Sequence, residues 1–333
     1  MSKKIIQIII FFAIGIVLFY MISSILMPEW MSPKYVTLGI RGFYKENKNT
    51  IDTLFIGDSN IYNGVSPIKI WKDTGITSYN YASSEQKIWT SYYLIKEALK
   101  YQKPKVIAIE AFGLLGEENS ANDLVRQVYD NMPFSFNKLE AIQDPIYKFS
   151  TLDKISFVFP IIRYHSRWNT ISEADFWRYR FDYNSPYKGY QMEKDKRNGP
   201  RDQKEAIATI VGDNVRTYMN KIQELCKQND IQLFIIKIPT SKLWGIPQNQ
   251  AIEQYAKEIQ VPYIDLNAEV TMNWDEDTYD NGVHLNVYGA EKVSKYLGNY
   301  LKNNYNLQDH RNEEKYQDWN DDLTKYEEEK NEV

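Results

Sequence analysis

Two short segments of the chain carry the side chains that nucleophilic catalysis needs. The first is Phe55-Ile56-Gly57-Asp58-Ser59-Asn60, an apolar run that ends in Gly-Asp-Ser. In an open α/β sheet, ligands bind beyond the carboxyl ends of the strands. A serine at that place presents its hydroxyl to a cleft, and its own amide is an oxyanion donor. Taken alone, the same residues also suit a helix-capping turn, because Asp and Ser both favour that position. The second segment runs from Thr278 to Ala290. Here Asp280 precedes His284 in a glycine-containing turn ahead of a helical pattern. A serine nucleophile needs a base within hydrogen-bond reach, and the base needs an acceptor to orient it. The two segments together supply Ser59 as nucleophile, His284 as general base and then acid, and Asp280 as orienting acid.

Few other residues compete for these roles. The chain has three histidines. His165 reads as a structural histidine and His310 as a solvated one in a charged stretch. The one cysteine, Cys226, lies in an apolar helical pattern and reads as core. With one cysteine there is no intramolecular disulfide, and zinc clusters built from several cysteines are excluded. No metal constellation, P-loop or Gly-rich dinucleotide turn is present, so no cofactor is expected. Arg163 and Arg167 lie four apart. On one helix face they would hold a phosphate or carboxylate, or else form paired charges on a surface turn.

These residues must be positioned by strands and helices. Five short apolar runs have the length and branched content of buried strands: Thr53–Gly57, Thr77–Ala82, Lys105–Glu110, Gln232–Ile238 and Val261–Leu266. Helical patterns over 92–101, 214–228, 251–258 and 290–301 lie among and after them. Alternation of this kind predicts a parallel sheet covered on both faces. Roughly 120 residues separate the third and fourth strands, too many for a loop, so a cap insertion is expected over about 114–210. Its stretch from Tyr129 to Tyr190 holds 16 aromatics in 62 residues, against 14% in the whole chain. It also holds Arg163, Arg167, Arg178 and Arg180. It reads as a helical subdomain with a small core of its own, or as a cap whose aromatics and arginines face a sugar, an anionic polymer or a membrane partner.

The 333 residues are 43% hydrophobic and 25% charged, which excludes wholesale disorder and suits a domain with a large core. The net charge of −4 gives no basic field for nucleic acid. That charge sits at the C-terminus. Residues 309–333 carry 10 acidic and 4 basic side chains, leaving the rest slightly positive. This acidic tail is expected to be disordered or a frayed helix. At the other end, residues 5–27 form 23 positions without a charge, preceded by Lys3 and Lys4. As a helix they would reach about 34 Å, enough to cross a bilayer. The flanking lysines place residues 1–4 in the cytoplasm and the rest outside. A cleavable signal peptide is the rival reading, although the run is long for one and lacks a small-residue cleavage site. Residues 28–50 read as a juxtamembrane connector, and 51–308 as the catalytic domain.

Gly57-Asp58-Ser59-Asn60 and the segment Asp280 to Asn286 resemble the first and last blocks of the SGNH/GDSL hydrolase superfamily, over residues 51–303. The segments Tyr79–Ser84, Lys103–Ile107 and His284–Ala290 are similar to the membrane-anchored members of the alginate O-acetylation and teichoic-acid D-alanylation types. The resemblance implies a three-layer α/β/α sandwich of the flavodoxin-like kind and serine acyl chemistry. It also implies work beside a membrane-bound O-acyltransferase on a polysaccharide or teichoic-acid-like polymer. An extracellular carbohydrate esterase or deacetylase is the alternative, and a non-catalytic anchored polymer-binding or scaffold protein the second. The superfamily's acid lies three residues before the histidine, where this chain has Asn281. Either the turn bulges so that Asp280 reaches the ring, which is the expectation, or Asn281 or the backbone serves. Glu110-Ala111-Phe112-Gly113 stands where the resemblance implies Gly-x-Asn-Asp. The oxyanion and substrate-binding roles then fall to the amides of Ser59 and Ser84, to Asn60, or to cap side chains such as Arg163 and Arg167.

Overall fold

The computed structural model of the chain describes residues 3–28, 36–173, 175–176, 185, 187–197, 208–242 and 244–332. The first helix, α1 (Lys3–Leu26), is long and apolar enough to cross a membrane. A short helix α2 (Val36–Phe43) leads into β1 (Thr53–Gly57). Next come α3 (Ser59–Gly64), α4 (Pro67–Thr74), β2 (Ser78–Ala82), α5 (Ile88–Ala98) and β3 (Val106–Glu110). The insertion follows with α6 (Asn122–Tyr129), α7 (Phe136–Gln143), α8 (Thr151–Val158) and α9 (Ile161–Tyr164). The chain then returns to the sheet through α10 (Asp213–Gln228), β4 (Gln232–Lys237), α11 (Ile246–Glu258) and β5 (Tyr263–Asp265). It closes with α12 (Leu266–Glu269), α13 (Val287–Asn304) and α14 (Gln317–Asn331).

The five strands form one parallel sheet in the order β2-β1-β3-β4-β5. Side chains alternate between its faces, as a pleated strand requires. Leu54, Ile56, Ile107, Ile109 and Ile235 enter one buried cluster with residues of α5 and α10. Phe55, Val106, Ala108, Phe234 and Ile236 enter the other with residues of α13. Both faces are covered, which is why these strands read as unbroken apolar runs. The architecture is a three-layer α/β/α sandwich, as the sequence predicts. The chain leaves β1 for β2 on one side and returns to β3 on the other. The β1/β3 boundary is therefore the switch point, where such sheets leave a crevice at their carboxyl edge.

Four expectations need correction. The 28–50 connector is not merely a tether. Within it, α2 buries Ile40 and Phe43, and Phe43 stacks on Tyr81 at 4.3 Å. Among the described residues the insertion has no separate core, since Val125, Tyr129, Ile142 and Phe157 belong to the same buried cluster as the sheet. The acidic C-terminus is neither disordered nor frayed. Tyr316, Trp319 and Tyr326 are buried, and Trp319 meets Trp71 at 5.3 Å. His310, expected in solvent, is buried with one ring nitrogen on Asp52 and the other on Glu313. Arg178 and Arg180 lie outside the described residues.

Candidate active site

The site forms where β1 ends. Gly57 is the last residue of the strand, and a side chain there would collide with Glu110, whose Cβ lies 2.5 Å from the position a Cβ would take. Asp58 then caps α3, its carboxylate accepting the Asn60 amide N–H at 2.9 Å. This turn sets Ser59 at the first position of α3, half-buried and facing the segment before α13. A helix leaves its first N–H groups without intrahelical partners, so the Ser59 amide is free of that ladder.

The partner loop is closed by its own backbone. Thr278 bridges Leu285, its hydroxyl donates to the His284 carbonyl at 2.7 Å, and the same oxygen accepts the Gly282 N–H at 2.8 Å. Asn281 and Gly282 take φ of 68° and 90°. Asparagine tolerates this left-handed region and glycine needs no accommodation. Two consecutive left-handed residues draw the loop in by the extra residue, so Asp280 reaches the ring from four positions upstream. Its Oδ2 lies 2.6 Å from His284 Nδ1, and its Oδ1 accepts the His284 amide at 2.7 Å. His284 Nε2 lies 2.8 Å from Ser59 Oγ. The Tyr279 ring stacks on the imidazole, with centroids 6.0 Å apart.

Electrostatics fixes the proton positions along this chain. Burial alone would raise the Asp280 carboxyl, but hydrogen bonds from the His284 ring and amide, with the histidine's charge, hold it below the ordinary range. An ionised Asp280 only accepts, so in the neutral imidazole Nδ1 carries the proton and the Nε2 lone pair faces the serine hydroxyl. That is the arrangement from which a neutral imidazole can take a proton from Ser59.

The other anticipated residues fall in different places. Asn281 is exposed, shapes the loop, and gives its amide N–H to the Arg197 carbonyl at 3.2 Å. Asn60 is buried, and both its main-chain and side-chain amides donate to Asp58. It therefore braces the Ser59 turn. The Ser84 hydroxyl pairs with Tyr62 at 3.2 Å, one helical turn beyond Ser59. Arg163 and Arg167 do not join the site or share one helix face, because α9 ends at Tyr164 and a 3-10 turn follows. Arg163 donates to Asp123 at 2.7 Å. Arg167 donates to Asp175 at 3.0 Å and to the Leu26 carbonyl at 2.7 Å. His165 is exposed beside the Ile162 carbonyl.

Sequence reasoning passed over two groups around the site. Beneath Ser59, at the carboxyl ends of β3 and β4, lie Glu110 and Lys237, both buried. Glu110 accepts the Phe112 N–H at 2.6 Å, and Lys237 donates to the Ile238 carbonyl. Burial, reinforced by the charge of Asp58, raises the Glu110 carboxyl, while burial lowers the Lys237 ammonium. Their signal was a charged residue closing an apolar strand. The second group is the segment 191–197 from the end of the insertion, which hems the catalytic loop. Gln191 N–H donates to the Tyr62 carbonyl, Arg197 N–H to Thr278, and Val287 N–H to Glu193. No motif marks it.

No protein-family model and no curated protein matches the chain. Solved structures similar to it include a Bacteroides fragilis chain described as an acylhydrolase, at 12% identity and TM-score 0.40, covering 83% of this chain and 99% of that one. A GDSL-like lipase from Bacteroides thetaiotaomicron shows 11% identity and TM-score 0.36, covering 75% and 87%. An acetyl xylan esterase from the rumen bacterium Butyrivibrio proteoclasticus shows 11% and 0.32, covering 77% and 64%. At these identities and scores, the chemistry of the site has to be read from its own side chains.

Proposed function

We propose that the protein is a serine acyl-transfer enzyme of the SGNH type, anchored by α1 with its catalytic domain outside the cell membrane. The observation that carries this reading is the hydrogen-bonded chain Ser59–His284–Asp280 at the carboxyl edge of β1. Ser59 Oγ attacks the acyl carbonyl carbon while His284 Nε2 takes its proton. We assign the developing oxyanion to the Ser59 amide, with that of Ser84 as the second donor. The tetrahedral adduct collapses to acyl-Ser59, and His284 returns the proton to the departing donor oxygen. An acceptor hydroxyl then gives its proton to His284 and attacks the acyl carbon, and His284 passes that proton to Ser59 Oγ as the serine departs. The acceptor we propose is a hydroxyl of a cell-wall or secreted polysaccharide, or of a teichoic-acid-like polymer. Acetyl is the expected group, delivered beside a membrane-bound O-acyltransferase. An ordered triad favours catalysis over a purely scaffolding role.

The test uses the full chain in detergent micelles with p-nitrophenyl acetate, beside Ser59→Ala and Asp280→Asn. Intact mass should show one acetyl adduct that Ser59→Ala abolishes. Asp280→Asn should slow its formation by about 10⁴, the scale at which a serine protease loses rate when its orienting acid becomes an amide. Faster release to added sugars than to water supports transfer, and release to water alone supports the esterase. No adduct with any activated ester would sink the acyl-serine reading.

A further inference from the structure

The insertion lies along the helix that the proposed reading places in the membrane. Ile16, Phe19, Tyr20, Ser23, Ser24 and Met27 recur every three or four residues, so they share one face of α1. With Met132–Phe134 and Phe157–Pro160 they line a cleft of about 440 Å³. Polar contacts fix its upper end. Ile161 N–H donates to Ser23 Oγ at 3.0 Å, and Arg167 to the Leu26 carbonyl at 2.7 Å. Lower down, the rings of Phe19 and Phe159 meet edge to face at 6.4 Å.

The length of α1 decides what this contact means. From Ile16 to Met27 the helix rises about 16 Å. If the insertion stood clear of the bilayer, only residues 5–15 would remain to cross it. Those span about 16 Å, half of the roughly 30 Å hydrocarbon thickness. A crossing α1 therefore carries the insertion down into the outer leaflet. The surface of the insertion fits such a place. Phe134, Phe136, Leu152, Ile155, Phe159 and Ile162 are exposed large apolar residues, with Phe136 88% exposed. All six lie in 134–136 and 152–162, among or beside the residues that line the cleft, and exposed apolar surface of this kind marks an interaction site. The charged groups lining the cleft are already paired. Asp130 accepts from Tyr164 at 2.7 Å and from Arg126, and Lys138 donates to the Met132 carbonyl. Hydrocarbon can cover them without orphaning a buried donor or acceptor.

We infer that this face of the insertion is embedded in the outer leaflet and that its cleft against α1 holds lipid acyl chains. The inference rests on α1 being an uncleaved anchor. The domain is then held against the membrane surface at two places and does not swing on a single tether.

Nitroxide labels on the full chain in phospholipid vesicles test this. Cys226 is buried and its thiol is pushed up to about 12, so it stays unlabelled. Single cysteines replace Phe136, Leu152 or Ile155 on the insertion, Leu18 on α1, and Ile246 on the sheet domain. All five positions are exposed, so the substitutions leave the core intact. Insertion labels should collide more with dissolved oxygen than with a water-soluble nickel chelate, as at Leu18 and opposite to Ile246. Insertion labels that behave like Ile246, with Leu18 in lipid, would overturn the inference and leave the anchor standing. A water-exposed Leu18 label would remove the anchor and this inference together.

Discussion

At the residue scale, Glu110 is the side chain whose state the mechanism leaves unstated. It sits 1% exposed beside Gly57, with Asp58 as a neighbouring charge. Burial first, and the Asp58 charge second, raise its carboxyl above the ordinary 4.5. The folded state thus holds this proton more tightly than the unfolded chain does. For an acid shifted upward, the stability contributed is fully present below the unfolded value and is lost as pH rises toward the folded one. Glu110→Gln keeps an acceptor for the Phe112 N–H and cannot ionise. Its melting temperature should gain on that of wild type as pH rises from about 4.5 into the neutral range. Parallel melting curves across that range would show that Glu110 is ionised in the fold. The residue itself was legible only as the end of a strand. Its burial depends on Lys237, Asp58 and Gly57, which meet only once β1, β3 and β4 are side by side.

At the element scale, the parts read most clearly from sequence are those whose burial is local in the chain. β1, β3 and β4 are covered on both faces, so their unbroken apolar runs announce them. The nucleophile and the base lie in turns bordering such elements. The loop before α13 is subtler, because its acid appears one residue too far from His284. The resolution lies in backbone conformation, with Asn281 and Gly282 both left-handed. Gly282 has a second constraint, since an added Cβ would lie 1.9 Å from Ser241 Oγ. Gly282→Ala should therefore disturb the Asp280–His284 pairing while sparing the distant core. We expect the rate of Ser59 acetylation to fall at least tenfold, with the far-ultraviolet circular dichroism of the chain unchanged. An unaltered rate would mean that the loop geometry does not govern the ring. The arginine pair left two readings open for the opposite reason, and paired charges on a surface turn are the one found. Asp123 is 40 residues from Arg163, and Leu26 is 141 from Arg167. No local pattern reveals such partners.

At the scale of the whole molecule, the C-terminal segment joins parts of the chain that are remote in sequence. Composition hides this, because charges outnumber apolar residues from 309 onward. Spacing would have exposed it, for Tyr316, Trp319, Leu323 and Tyr326 fall on one helical stripe at intervals of three and four. That stripe lies on α4 and the end of the insertion, with Trp319 on Trp71 and Tyr326 on Tyr187 and Tyr190. Beneath it, the buried Lys188 ammonium lies 3.1 Å from Glu46, 3.2 Å from Asp318 and 3.1 Å from Asp322. One cation thus links the pre-sheet segment, the insertion and the C-terminal helix. Trp319 also lies under that cation, with Nζ 4.8 Å from its ring centroid. Removing the indole would open a cavity in this junction and expose Trp71. Trp319→Ala should destabilise the full chain by about 3–5 kcal/mol, the range for truncating a buried aromatic. Denaturant unfolding in detergent micelles, followed at the midpoint, measures it. A loss within about 0.5 kcal/mol, the level of an ordinary surface substitution, would mean that the segment is frayed in solution as its composition suggests. The larger loss would make residues 309–333 an integral wall of the domain, and truncation there would then lower acylation by unfolding the sheet's flank without touching the triad.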